Sequence, residues 1–129
     1  MCGIVGYIGE RPAQEILLTG LKRLEYRGYD SSGMAVILPA KDTLLIRKSP
    51  GKISALDKLL KSKPLVGSLG IAHTRWATHG APTQANAHPH ADCDNEIALV
   101  HNGIIENYET LKNQLLKEGH LFSSQRIPR

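Results

Sequence analysis

The cysteine at position 2 is the residue of this sequence with the clearest capacity for chemistry. Methionine aminopeptidase removes Met1 when the next side chain is small, and Cys2 would then carry a thiol and a free α-amino group together. An α-amine has an ordinary pKa of about 7.7 to 8.0, so a useful fraction is neutral near neutral pH and can accept the thiol proton. Cys2 is therefore a candidate nucleophile that brings its own general base.

The residues after Cys2 suit that role without establishing it. Gly3 adds no side-chain bulk beside the sulfur, and the run from Ile4 to Ile8 predicts a buried strand that would fix the terminus. A cysteine that only opens a structural strand would give the same pattern. The hypothesis therefore depends on the other motifs.

Histidines are the second chemically capable group, and a metal site is one interpretation of them. His-X-His and nearby thiols are legitimate zinc ligands, but the spacing here fits no closed zinc pattern, so we predict no metal. Asn86 to His90 more simply orders a loop. The residues concerned are His73, His79, His88, His90, His101 and Cys93.

The segments that must position these residues alternate between helical and strand patterns. Apolar residues recur at helical spacing three times, and β-rich runs occur five times, which predicts a fold of helices and strands with substantial sheet content. Gly28 and Gly119 stand where C-terminal caps would end the first and third helices. Between the strands, Ala77 to Asn95 is polar and predicts a long functional loop. The helical patterns run from Ala13 to Leu24, Ile53 to Leu60 and Tyr108 to Leu115, and the β-rich runs are Ile4 to Ile8, Met34 to Leu38, Leu44 to Lys48, Leu69 to His73 and Ile97 to His101.

Composition predicts one soluble domain. The 129 residues are 41% apolar and 22% charged, which is an ordinary balance for a folded chain. The net charge of +4 is dispersed, so we expect no nucleic-acid partner. No apolar run approaches the ~20 residues of a membrane span and the start lacks the features of a signal peptide, so we expect no membrane partner and a cytoplasmic location. The two cysteines are then expected to be free thiols.

Five motifs in order resemble the class II glutamine amidotransferases, the N-terminal-nucleophile hydrolase type. The resemblance extends over residues 1–125, and the segment Tyr26 to Ser31 is similar to glutamine:fructose-6-phosphate aminotransferases of the isomerising kind. Phosphoribosylpyrophosphate amidotransferases usually show HRGQD there, and asparagine synthetases RGPD. The motifs are MCGIVGYIG from Met1, LEYRGYDSSG from Leu24, HTRWATHG from His73, NAHPH from Asn86 and HNGIIEN from His101.

This resemblance implies an α+β fold, the four-layer αββα sandwich of N-terminal-nucleophile hydrolases, and a thiol mechanism without metal or cofactor. Cys2 would attack the side-chain amide of glutamine, giving a γ-glutamyl thioester and ammonia. Asn102 and Gly103 would form the oxyanion hole, although Asn-Gly is also a common turn dipeptide.

The resemblance also implies the residues that bind substrate and support the nucleophile. Arg75 would hold the α-carboxylate of glutamine, because a guanidinium can make two parallel hydrogen bonds to a carboxylate. Trp76, Thr78 and His79 would belong to a loop that closes over glutamine and excludes water. Arg27, Gly28 and Asp30 would support the surroundings of Cys2.

The last residues depart from the family pattern. After Gln125 the family continues with Thr-Asp-Thr-Glu, whereas residues 126–129 are a non-family tail in which Ile127 stands where an aspartate would grip the α-ammonium. We therefore expect only about the first half of the sandwich. The sugar-isomerase domains, through which fructose 6-phosphate would be bound in homo-oligomeric full-length relatives, are expected to be absent.

Three interpretations follow from the sequence. The first is an enzyme that hydrolyses glutamine through Cys2, and the second is an inactive truncated remnant that acts at most as an interaction piece. The third is a small metal-binding module. Labelling of Cys2 by a glutamine-like electrophile separates the first two, and elemental analysis tests the third.

Overall fold

The computed structural model describes residues 2–76 and 81–124, and these residues form an α+β arrangement. In chain order the elements are β1 (Gly3–Ile8), α1 (Ala13–Leu24), a 3-10 helix (Glu25–Arg27), β2 (Ser31–Leu38), β3 (Thr43–Pro50), α2 (Ile53–Ser62), β4 (Leu69–Arg75), β5 (His90–Ala91), β6 (Ala98–Leu99) and α3 (Tyr108–Lys117). Three helices and the first four strands lie where the sequence patterns predict them.

The four long strands form one antiparallel sheet in the order β1-β4-β2-β3. Strand β4 lies between β1 and β2, so the end of β4 meets the beginnings of both neighbours. In this register Gly3 is opposite Thr74 and Ser31 is opposite Arg75. Residues far apart in sequence therefore lie together at one end of the sheet, where β4 ends.

Helices α1 and α2 pack on one face of this sheet and close the core. Leu17 and Leu21 of α1 are fully buried one turn apart, as are Leu56 and Leu60 of α2. Burial of each such side chain stabilises the fold by about 2 kcal/mol. The strands contribute alternate residues to this core, which is the pattern expected for one covered face. The core cluster consists of Ala13, Leu17, Leu21, Met34, Val36, Ile53, Leu56, Leu60, Leu65 and Ala72.

The two helices are also joined by an ion pair at their surface. Lys22 Nζ lies 2.8 Å from Asp57 Oδ2, and this hydrogen bond holds the pKa of the Asp57 carboxyl below its ordinary value. Both side chains are partly exposed, so this contact contributes little to stability compared with the core.

The opposite face of the sheet is apolar and partly open. Ile4 is 46% exposed, Ile8 79% and Leu69 39%, and all three alternate with residues that face the helices. The sequence predicted a buried first strand, and this was wrong, because β1 is an edge strand with one face open.

One end of this second face is covered by the segment that contains His88 and His90. The ring of His73 on β4 stacks on His88 at a centroid distance of 4.4 Å, and His90 meets His88 edge-on at 4.5 Å. The segment approaches β2 so closely that a Cβ at Gly33 would overlap the carbonyl oxygen of His88. His88 and Pro89 are buried, so this part of the predicted functional loop from Ala77 to Asn95 packs against the sheet.

Two further predictions need correction. The β-rich run Ile97 to His101 forms a strand only at Ala98–Leu99, which pairs with His90–Ala91. Gly28 does not cap α1, which ends at Leu24, but follows the 3-10 helix with a positive φ of 81°. Gly119 does follow α3, with φ at 93°, as predicted.

Within the described ranges, no helix is long and apolar enough to cross a membrane.

The buried histidines make stability depend on pH. Burial lowers the pKa of His73 and His90 from 6.5 to about 4, and that of His88 to about 2. An unfolded histidine has a pKa near 6.5 and becomes protonated as the pH falls below that value, whereas the folded histidine stays neutral to a lower pH. The contribution of these neutral histidines to the free energy of unfolding is therefore complete above pH 6.5. It is lost progressively as the pH falls towards 4 and below.

We predict that His88→Phe weakens this pH dependence. The phenyl ring can keep the stack on His73 but cannot titrate, so the free energy of unfolding should fall less steeply between pH 6.5 and pH 4, by about 1.4 kcal/mol per pH unit. Urea unfolding at several pH values measures this slope. Substitution of the exposed His120 serves as the control, and an unchanged slope in His88→Phe contradicts the prediction.

Candidate active site

The structure places Cys2 directly before β1, at the end of the sheet where β4 ends. Its sulfur is half-buried and lies against the backbone of Trp76, the first residue after β4. The Trp76 N–H donates to Cys2 Sγ at 3.4 Å, and the thiol donates to the Trp76 carbonyl oxygen at 3.8 Å. Strand pairing thus fixes the thiol beside the segment that carries the predicted substrate-binding residues.

Asn102 reaches the same place from a distant part of the chain. Its Nδ2 donates to the carbonyl oxygen of Cys2 at 3.3 Å, and its Oδ1 lies 2.7 Å from His73 Nε2. Gly103 follows with a positive φ of 152°, and both residues are exposed. The structure therefore brings together the predicted nucleophile and the side-chain amide predicted for the oxyanion hole.

Arg75 ends β4 opposite the start of β2, and its side chain is half-buried. Its Nη1 donates to the carbonyl oxygen of Ala81 at 3.4 Å. The Arg75 carbonyl oxygen accepts from the Asp30 N–H at 2.7 Å, which joins Asp30 to the end of β4. Arg75 and Asp30 are thus placed by the same backbone contact.

Trp76 and Gly28 lie in direct contact. Gly28 has a left-handed φ of 81°, and a Cβ there would overlap the indole ring. The ring is 50% exposed, so one side rests on bare backbone while the other faces outward. Arg27, half-buried, ends the 3-10 helix one residue earlier.

Thr78 and His79, which the sequence predicted to contact substrate, lie outside the described residues, as does Ile127 of the tail. Their roles remain predictions.

Sequence reasoning missed the position of His73. It weighed this histidine only as a metal ligand, whereas the structure buries it beside Asn102. His73 lies two residues before Arg75, and alternate residues of a strand share a face. The sequence could therefore have placed His73 on the same face of the strand as the predicted substrate-binding Arg75. Burial keeps its pKa at about 4, so the ring is neutral near pH 7. Within residues 2–76 and 81–124, no three His, Cys, Asp or Glu side chains are grouped to hold a metal ion.

The second thiol lies in a different environment. Cys93 is exposed in the turn between β5 and β6, with its sulfur 3.6 Å from His120 Nδ1 and 3.7 Å from the Leu121 carbonyl oxygen. Both cysteines are free, which confirms that part of the prediction.

Comparison with known proteins identifies relatives of this chain. The family described as class II glutamine amidotransferases matches residues 21–119. The glutamine–fructose-6-phosphate aminotransferase of Pyrococcus horikoshii is 57% identical over 96% of the chain, and that of Thermus thermophilus is 59% identical over 97%. The Bacteroides thetaiotaomicron protein of the same name is 56% identical. The chain spans about a fifth of the length of these relatives, 20% in each case.

Solved structures show the same fold. Glutamine phosphoribosylpyrophosphate amidotransferase from B. subtilis, complexed with ADP and GMP, superposes with a TM-score of 0.79 and 27% identity, over 99% of this chain and 27% of that one. A structure described as the allosteric regulatory enzyme of purine biosynthesis gives 0.79 and 28%, over 96% of this chain and 27% of that one. These neighbours have the N-terminal-nucleophile hydrolase fold, which confirms the predicted fold class. Because the family pattern covers most of its residues and its fold is that of the solved members, the chain belongs to the class II glutamine amidotransferases.

Proposed function

We propose that this chain cleaves the side-chain amide of glutamine with Cys2 as the nucleophile. The observation that carries the proposal is the position of Cys2, whose sulfur contacts Trp76 and whose carbonyl oxygen contacts Asn102. Hydrolysis of glutamine by a thiol uses a nucleophilic sulfur, a hydrogen-bond donor for the oxyanion and a cation for the substrate carboxylate. Cys2, Asn102 and Arg75 can supply these groups at the same end of the sheet.

The reaction begins once Met1 has been removed and the α-amine of Cys2 is free. The amine takes the thiol proton, and the sulfur attacks the amide carbon of glutamine. The carbonyl oxygen becomes an oxyanion, which Asn102 and Gly103 stabilise through the side-chain N–H and the backbone N–H. The C–N bond then breaks as the ammonium of Cys2 returns its proton to the leaving nitrogen, giving ammonia and a γ-glutamyl thioester. Water hydrolyses the thioester to glutamate and restores the thiol.

Asn102 is suited to the oxyanion role by its contacts. One hydrogen of its amide is donated to the carbonyl oxygen of Cys2. The second can be donated to the oxyanion, which forms on the substrate amide when the Cys2 sulfur attacks it. Loss of one such donor costs roughly 3 to 4 kcal/mol of transition-state stabilisation in comparable sites.

Arg75, Trp76, Thr78 and His79 provide substrate binding in this proposal. A carboxylate of glutamine pairs with the guanidinium of Arg75, which is held at the end of β4 beside Cys2. Trp76 and the residues after it cover bound glutamine and exclude bulk water while the thiol attacks.

The fate of the ammonia is proposed from the relatives. Those with 53–59% identity are named for fructose 6-phosphate, and the segment Tyr26 to Ser31 resembles that group. We infer that the ammonia aminates fructose 6-phosphate in a protein that also has the parts of those relatives that this chain does not match. Cytoplasmic location and a homo-oligomeric assembly belong to the same proposal.

We predict that diazo-oxo-norleucine, an electrophilic glutamine analogue, modifies Cys2 in a one-to-one ratio. Peptide mass spectrometry locates the adduct, and intact mass shows whether Met1 has been removed. Cys2→Ser should lose the adduct, while Cys93→Ser should keep it, because Cys93 lies at the β5–β6 turn. No adduct on Cys2 in a folded sample lacking Met1 contradicts the proposal and favours an inactive remnant.

We predict that Gly28→Ala displaces Trp76 whereas Gly51→Ala does not. Both glycines have positive φ, 81° and 85°, a backbone conformation that strains alanine at either position. Only at Gly28 does the added carbon meet the indole, since Gly51 has open space around it. Trp76 is the single tryptophan, so its fluorescence reports the displacement directly.

The labelling rate of Cys2 by diazo-oxo-norleucine should fall in Gly28→Ala and stay near wild type in Gly51→Ala. Equal fluorescence spectra for both variants contradict the predicted contact. Equal labelling rates with a shifted spectrum in Gly28→Ala contradict the role of Trp76 in binding.

A further inference from the structure

His73 is buried next to the proposed oxyanion hole and has no assigned role. It is 1% exposed and lies on β4, the strand paired on both sides, opposite Ile4 and Gly33. Its Nε2 contacts Asn102 Oδ1 at 2.7 Å, a short distance for a nitrogen-to-oxygen hydrogen bond. The ring is therefore a fixed neighbour of the Asn102 amide.

The chemistry of the neighbouring groups determines the direction of this hydrogen bond. The carbonyl oxygen of Cys2 can only accept, so the Asn102 atom that faces it at 3.3 Å must be the nitrogen. The oxygen of the same amide then faces His73, and the ring nitrogen there must carry a hydrogen. His73 is thus the Nε2–H donor.

The other ring nitrogen is consistent with this tautomer. His73 Nδ1 is buried and has no hydrogen-bond partner among residues 2–76 and 81–124. An unpaired lone pair is tolerated more readily in the interior than an unpaired N–H group. Burial also keeps the ring neutral near pH 7, since its pKa is about 4. A neutral ring with its hydrogen on Nε2 satisfies all of these conditions.

The orientation of the asparagine amide matters because its two ends have nearly the same size. If the amide turned by half a rotation, its oxygen would face the carbonyl oxygen of Cys2 and the developing oxyanion, and both contacts would be repulsive. Asn102 itself is exposed and lies outside the helices and strands, so regular structure does not hold its side chain. The hydrogen bond from His73 selects one of the two orientations.

The histidine is itself held in place by packing. Its ring stacks on His88 at 4.4 Å, and the backbone of His88 lies against Gly33, where no side chain intervenes. Rotation of the His73 ring would break the stack as well as the hydrogen bond. A rigid donor of this kind maintains the orientation of its acceptor without reorganisation during the reaction.

We propose that His73 is a positioning residue, which donates from Nε2 to Asn102 and so keeps one asparagine N–H on the carbonyl oxygen of Cys2 and the other directed at the oxyanion. The proposal rests on the proposed function of Asn102. His73 does not touch the substrate, and it transfers no proton.

The first experiment requires no activity. Long-range 1H–15N correlation spectra of the full chain at pH 7 should show His73 with hydrogen on Nε2 and none on Nδ1, assigned by the absence of its signals in His73→Leu. The two side-chain amide protons of Asn102 should shift in His73→Leu and shift much less in His73→Gln, whose side-chain NH2 can donate to the same oxygen. A hydrogen on Nδ1 of His73, or unchanged Asn102 signals in His73→Leu, overturns the proposal. If His73→Leu does not fold, the wild-type tautomer and His73→Gln still decide it.

The second experiment separates positioning from a general structural role. For glutamine hydrolysis by the full chain, kcat of His73→Leu should fall by about 10- to 100-fold while KM changes by less than about twofold, and His73→Gln should recover most of the loss. Alkylation of Cys2 by iodoacetamide forms no oxyanion, so its rate should be unchanged in both variants. An equal loss of alkylation and turnover overturns the proposal, because it indicates collapse of the site.

The two proposals fail in different ways. A chain that shows the expected His73 tautomer and Asn102 shifts but neither hydrolyses glutamine nor reacts at Cys2 contradicts the proposed function and retains the hydrogen bond. A chain that hydrolyses glutamine at wild-type kcat in His73→Leu contradicts only the positioning role.

Discussion

The antiparallel pairing of β4 with both β1 and β2 is the constraint on which the site depends. Strand β4 ends beside the beginnings of β1 and β2, and this brings Cys2, Asp30 and Trp76 to one end of the sheet although they are remote in sequence. The backbone hydrogen bonds of three strands, and not the side chains of the site, set this arrangement. The packing of α1 and α2 on the sheet stabilises it, because their buried leucines make any slip of register costly. The thiol is therefore located by the most stable part of the fold.

Residues close to the thiol are held by contacts with backbone and with neighbouring side chains. Asn102 contacts Cys2 and His73, and Trp76 rests on Gly28. Asn102 thereby joins an exposed segment to β4 and to the residue before β1, and Trp76 joins the end of β4 to the residue after the 3-10 helix. The arrangement combines a fixed nucleophile with neighbours that come from exposed segments, which is common where a site must admit and release a small molecule.

Sequence patterns predicted much of this fold and part of its site. Helical and strand periodicity located α1, α2, α3 and the first four strands, because each depends on local spacing of apolar residues. The edge position of β1 could not be predicted, since strand order is set by long-range pairing. The motifs identified Cys2 and Asn102 as site residues, and the structure shows them in contact. His73 was not recognised as a neighbour of Asn102, because a buried histidine looks the same in sequence whether it binds metal, packs or donates a hydrogen bond.

The open apolar face of the sheet has a thermal consequence. Unfolding raises the heat capacity in proportion to the apolar surface that becomes newly exposed, and Ile4, Ile8 and Leu69 already lie partly in water. The heat-capacity increment per residue should therefore be smaller than for a domain with both sheet faces covered, and the stability curve should be flatter with temperature. Any polypeptide that covers this face on association will reveal itself by a negative heat-capacity change, a calorimetric signature independent of glutamine.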